Sequence, residues 1–235
     1  MKNFNIVSHL LAGLYIFFNA FALSGQTDTR SAFKITANAD LVSRYIWRGM
    51  DIGHAPSIQP GMAMQWNDFK LGAWGAYKLT GAGEQETDFY LSKTYRFVTF
   101  AIWDYWNFND TTAFDFFDYR RKTTSHLLET QLLLSGGKVL PFNLLSSYFF
   151  YGSDLSKSLY FELQYEYKSD IADLLFFAGY QAKGTYYASG SGFVNIGCTL
   201  SKSVSLTDRL NLPVYLSLIV NPANKIPYLV AGITF

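Results

Sequence analysis

The sequence predicts an all-β chain, a transmembrane antiparallel up-and-down β-barrel of about twelve strands behind an N-terminal signal peptide. Three observations carry this. Apolar and polar residues alternate with a period of two in segment after segment. Aromatic residues reach 18% of the 235-residue chain and charged residues only 16%, against roughly 25% charged in ordinary soluble proteins. The apolar run with leader character stands at the N terminus, and no run of spanning length follows it.

Residues 1–25 read as a secretory signal. Lys2 supplies the positive start, Leu10 to Phe18 the apolar stretch, and Ala20, Ala22, Ser24 and Gly25 the small residues before Gln26-Thr27-Asp28. A spanning helix needs about 20 apolar residues, and Asn19 interrupts this run. Residues 26–235 then form one domain. Removing the leader takes Lys2 and no acid, so 19 basic residues become 18 and match the 18 acidic ones. Nucleic acid wants a basic stripe, and balanced charge excludes it as a partner. The single cysteine excludes a disulfide scaffold and a Cys-based zinc site. Downstream apolar runs such as Val98–Trp103 and Leu174–Tyr180 are too short to cross a membrane as helices.

The strands follow from the alternation. In 33–48, Ala37, Ala39, Leu41, Tyr45 and Trp47 oppose Asn38, Asp40, Arg44 and Arg48. A strand gathers those charges on one face, whereas a helix would scatter them. The period recurs at Leu159, Phe161, Leu163, Tyr165 and Tyr167, and again at Val194, Ile196, Cys198 and Leu200. Strands are expected near 33–48, 56–66, 69–79, 86–96, 97–108, 125–135, 139–151, 158–168, 173–184, 192–203, 211–221 and 227–235. Asn67-Asp68, Gly136-Gly137 and Ser169-Asp170 are tight-turn sequences. Connections at 49–55, 80–85, 109–124 and 185–191 are longer.

Alternation alone does not say which face meets water. Aromatics closing the apolar sets (Tyr45 and Trp47, Trp66 and Phe69, Tyr165 and Tyr167) suit girdles at two membrane surfaces. The chain stops at Phe235, last of the apolar set Leu229, Ala231 and Ile233. A final strand ending in Phe on its lipid face resembles the assembly signal read by the barrel-assembly machinery. The expected surroundings are therefore outer-membrane lipid and lipopolysaccharide, with the chain a monomer in the bacterial outer membrane.

The stretch from Ala39 through Asp40, Arg44, Tyr45, Trp47 and Arg48 to Gly49 resembles the opening strand of the TorF family of porin-like barrels. Pro56-Ser57-Ile58-Gln59-Pro60, Gly72-Ala73-Trp74-Gly75, Asn221-Pro222 and Gly232-Ile233-Thr234-Phe235 extend the likeness, while 97–157 matches in architecture only. The resemblance implies an outer-membrane porin. It brings no catalytic or ligand residues.

Catalytic groups are sparse. After the leader only His54 and His126 remain, and isolated histidines do not make the oriented base that catalysis needs. Neither an enzyme, a metal site nor a cofactor is expected. The segment Asn109–Asp118 lacks the central Gly of an EF-hand loop and reads as an external loop. Function is left to the lumen-facing set: Asp40, Arg44, Arg48, Gln59, Lys70, Lys78, Glu86, Asp88, Glu162, Gln164, Glu166, Gln181 and Lys183. These residues either line a small aqueous pore for passive diffusion of small polar solutes or ions, or lock together with Trp74, Tyr90 and Tyr160 and plug the barrel. In the second case the closed barrel serves a structural or ligand-binding role through its outer loops. Twelve strands fall between filled eight-stranded barrels and open sixteen-stranded ones.

Overall fold

The computed structural model describes residues 33–81, 83–109, 115–137, 140–207 and 210–235. The expected leader, 1–25, lies outside them, as do Asp110 and Phe114 of the long external loop. The strands are β1 (Phe33–Val42), β2 (Ile46–Trp47), β3 (Met50–Asp51), β4 (Ser57–Trp66), β5 (Phe69–Lys78), β6 (Glu84–Tyr95), β7 (Val98–Asn109), β8 (His126–Ser135), β9 (Phe142–Gly152), β10 (Leu159–Tyr167), β11 (Asp173–Lys183), β12 (Gly192–Thr207), β13 (Leu210–Asn221) and β14 (Ile226–Thr234). No helix occurs among the described residues.

β1 and β4 to β14 close into one twelve-stranded barrel, every neighbour antiparallel and every join but one sequential. The exception is the seam, where β1 meets β14 through Asp40↔Thr234, Leu41↔Ile233 and Val42↔Gly232. Phe235 extends it: its N–H donates to the Ala39 carbonyl at 2.9 Å and its carbonyl accepts from the Ala39 N–H at 3.1 Å. One end of the barrel carries the start of β1, the end of β14 and the short turns 67–68 and 96–97, in which Asn67 and Arg96 take φ of 52° and 55°. The other end carries the longer connections 43–56, 153–158 and 184–191.

The greasy face points out. Ile35, Met62, Leu71, Leu163 and Leu229 are exposed on the outer wall, Leu229 by 66%. Asp40, Gln59, Asp88, Glu129, Glu162 and Gln181 are buried within it. A water-soluble barrel would carry the opposite distribution. Bulky inward rings are accommodated by wall glycines: a Cβ on Gly72 would collide with the Tyr90 ring, and one on Gly179 with Tyr160. Without those glycines the rings could not lie flat against the wall.

Two expectations need correction. The first strand was expected to run to Arg48, but β1 ends at Val42 and the chain turns inward as a hairpin of β2 and β3. Arg48 and Gly49 at its tip have φ of 48° and 80°, the paired positive values of a type I′ turn. A hairpin has the same period of two as a strand, so the alternation ran on through the reversal. Tyr45 and Trp47, expected to face lipid, therefore lie inside: Tyr45 is buried on Trp74 with ring centres 5.3 Å apart, and Trp47 packs on Tyr105 at 5.4 Å. The second is Val194, which the alternation placed outward with Ile196. The register between β11 and β12 shifts at Gly179/Tyr180, pairing Asn195 with Gly179 and Phe193 with Tyr180. Val194 falls at that shift and is fully buried.

Candidate functional site: a hairpin seated in the lumen

The hairpin tip sits inside the lumen, held between β12 and β13 on one side and β8 on another. The Gly49 carbonyl accepts a hydrogen bond from Asn221 Nδ2 of β13 at 3.0 Å. A Cβ on Gly49 would stand 1.9 Å from the Val194 carbonyl oxygen of β12. Arg48 reaches Glu129 of β8 through both guanidinium nitrogens, at 2.5 and 3.0 Å, and also donates to the Tyr187 hydroxyl. Glu129 accepts two further bonds, from Tyr105 at 2.8 Å and Gln131 at 2.6 Å. The guanidinium carbon lies 4.6 Å from the ring centres of Trp47 and Tyr160. A buried charge is tolerable only when paired and hydrogen-bonded, and Arg48 has one ion pair and three hydrogen bonds from its terminal nitrogens.

A second layer holds the tip from the side of the 184–191 connection. Gln181 directs Nε2 at the carbonyls of Gly184, Ala188 and Gly190, at 2.7–3.0 Å, and accepts from the Tyr187 N–H at 2.8 Å. That fixes Tyr187 above Arg48. Around the tip pack Leu127, Phe149, Tyr160 and Val194, all essentially inaccessible. This part of the lumen is a core, not a water path.

Glu162 of β10 sits apart from that pair. It accepts from Tyr160, from Gln164 at 2.7 Å and from Asn195 at 2.8 Å. Asp88 lies two residues from Glu86 on β6, both buried.

The remaining residues of the lumen-facing set distribute as follows. Asp40 and Gln59 stand opposite each other on β1 and β4, buried in the lumen. Lys70 is half-buried, its ammonium 5.8 Å from the Tyr90 ring centre. Lys78 and Glu86 do not face each other across their hairpin, because Glu86 pairs with Ala76. Glu166 accepts from Asn143 at 3.0 Å, and Lys183 is at the exposed end of β11. Arg44 lies off the wall in the 43–56 connection, half exposed and 2.5 Å from Asp51. Sequence reasoning missed Glu129, Gln131, Tyr105, Tyr187 and Asn195. Glu129 and Gln131 did carry a signal, as polar residues two apart in an apolar strand.

Each histidine stands beside an aspartate. His126 sets Nδ1 against Asp104 at 2.7 Å and Nε2 against the Phe116 carbonyl at 2.6 Å, so both ring nitrogens are engaged. Tyr119 stacks on it with ring centres 4.0 Å apart and donates to Asp104 at 2.6 Å, pinning the external loop to the barrel rim. Within that loop, Asp118 accepts from the Arg120 side chain at 2.7 and 2.9 Å; this bonding, with Thr123 adding to it, holds the Asp118 carboxyl well below the usual carboxylate range. His54 is exposed beside Asp51 at 3.2 Å.

These features define a class: a twelve-stranded antiparallel barrel, apolar outside, whose polar lumen holds an inward hairpin. A model of a family described as a bacterial protein of unknown function (Gcw_chp) matches residues 26–105, a stretch that runs from before β1 into β7 and contains the hairpin. Comparison with curated proteins and with solved structures returns no match.

Proposed function

We propose that the chain is a bacterial outer-membrane barrel, closed at rest by the 43–56 hairpin, that passes small polar solutes when the hairpin lifts. The hairpin's attachment carries the gating part of this reading. Its tip is held by one ion pair, a few hydrogen bonds and ring contacts, and it shares no ladder with the wall. The barrel closes without it. Below the tip, polar side chains of Asn38, Asp40, Gln59, Gln131 and Gln164 line the interior.

The membrane part rests on the apolar outer wall and on outward aromatics at the end where β1 begins and β14 ends: Phe33, Trp66, Phe69, Tyr95, Phe97 and Tyr167. Aromatic girdles of this kind mark the interfaces of outer-membrane barrels. The TorF-like stretches point the same way. Lipid and lipopolysaccharide are then its surroundings, a signal peptide and the barrel-assembly machinery its route, and a monomer its form. A cysteine at Leu163, in a Cys198→Ala background, should resist a water-soluble maleimide in lipid vesicles and react once the chain is unfolded in urea. Ready labelling of the folded protein would reject the membrane reading.

Bilayer conductance tests the gate. The intact chain should be mostly closed, and a chain in which residues 45–52 are replaced by a short Gly-Ser link should give steady openings. The competing reading is a permanently closed barrel acting through its loops, favoured by the packing of Phe149, Tyr160 and Leu127 around the tip. Silence from both chains, with both inserted, would select it.

A further inference from the structure

Beneath the hairpin the lumen holds a chamber of about 110 Å³, room for roughly seven to eleven waters at about 10–15 Å³ each. Its walls are strongly aromatic: Tyr45 and Trp47 from the hairpin, Trp74 from β5, and Trp103 and Tyr105 from β7. Trp103 and Tyr105 are parallel to within 8° with centres 5.7 Å apart, and Tyr90 stacks behind Trp103 at 4.3 Å.

The charges on the chamber are unequal. Arg48 is its lining cation, and Glu129 already neutralises it through two short bonds. Asp88 and Glu162 also line it, and neither has an ion-pair partner among the described residues. Glu162 accepts from three neutral donors, Tyr160, Gln164 and Asn195. One oxygen of Asp88 has no hydrogen-bond partner in the protein, and neither does the Trp103 indole N–H. Glu86 adds a carboxyl just beyond Asp88. An anion would be repelled here, and a sugar could stack on the rings without using the carboxylates. A cation uses both, because ring faces and carboxylates attract the same sign of charge. The lumen already does this once, with the Arg48 guanidinium over Trp47 and Tyr160.

We propose that the chamber binds a small organic ammonium compound, with Asp88 as counter-ion and Trp74, Trp103 and Tyr105 as its aromatic walls. The proposal names the solute class for the path proposed above and rests on that reading only for how the solute arrives.

The test uses the full chain refolded in detergent, with tryptophan fluorescence as readout, since Trp47, Trp74 and Trp103 line the chamber. Choline chloride is titrated against sodium chloride of equal ionic strength. The comparison ligands are 3,3-dimethylbutan-1-ol, the uncharged carbon analogue of choline, and glucose. A saturable change with choline is expected, at least tenfold weaker with the alcohol and at least tenfold weaker in Asp88→Asn. If Asp88→Asn loses the wild-type melting transition, Glu162→Gln is read instead and should show a loss of the same sign. No saturable change with choline, equal affinity for choline and the alcohol, or unchanged affinity in a folded variant overturns the proposal. A response to glucose alone does so in favour of a neutral solute. Choline binding in a barrel that stays silent after hairpin replacement would sink the path and keep the site, while conductance without choline binding would do the reverse.

Discussion

Replacing Arg48 with Met, or Glu129 with Leu, should unseat the hairpin and leave the barrel standing. Each change leaves the partner's charge buried, Glu129 at 0% and Arg48 at 7% side-chain exposure. Breaking such a pair costs about 3–5 kcal/mol, a factor of roughly 150 to 5,000 in the seating equilibrium. The barrel ladder does not pass through Arg48, because the hairpin pairs only with itself, Ile46 with Asp51 and Trp47 with Met50. The loss should therefore appear as cleavage by chymotrypsin within 43–56 and as new bilayer conductance, with the melting of the barrel little changed. The double variant Arg48→Met, Glu129→Leu removes both charges, and paired removal is often neutral. It should regain most of the protection. Single variants as resistant and as silent as the parent would show that the ion pair does not hold the plug.

The wall was legible because wall residues obey one rule. Along β4, Ser57, Gln59, Gly61 and Ala63 are buried and Ile58, Pro60, Met62 and Met64 exposed, in strict alternation. A period of two, read over enough strands, fixes the all-β class and the strand count and sorts each strand's residues into two faces. It does not show where the chain leaves the wall. From Ala37 to Arg48 the pattern falters only at Val42-Ser43 and Ile46, too slight a break to mark the end of β1 at Val42. The remaining cue was Arg48-Gly49, and Arg at the first turn position lacks the Asn or Asp that usually marks a type I′ turn.

The site was harder to read because a filled lumen is not uniformly polar. On β8, Leu127 and Leu133 share the inner face with Glu129 and Gln131. Apolar side chains are wanted there because the hairpin tip packs against them, so the polarity that should flag the lumen is diluted where the plug sits. Glu129's partner is 81 residues away, a separation no local pattern encodes. Val194 was misassigned for a third reason, since one extra residue at a bulge sends the next side chain to the other face. Bulges leave little trace in composition.

Gly49→Ala should release the hairpin without touching any charge. Two terms act together at this position. Its φ of 80° is left-handed, where an L side chain costs about 1–2 kcal/mol. The added Cβ would also lie 1.9 Å from the Val194 carbonyl oxygen, a backbone atom in a paired strand that cannot swing aside. Relief requires the tip to back away, which also breaks the bond from Asn221 to the Gly49 carbonyl. Gly81→Ala separates the two terms: its φ is 74°, nearly the same, but nothing lies within 4 Å of the new Cβ. Gly81→Ala should carry the backbone strain alone and leave the lumen closed. Gly49→Ala should open it, with conductance and proteolysis like those of Arg48→Met and with the heat-modifiable migration of the folded barrel retained. If the two alanine variants behave alike, the tip is not wedged against β12, and the lumen must be closed by something other than the seated hairpin.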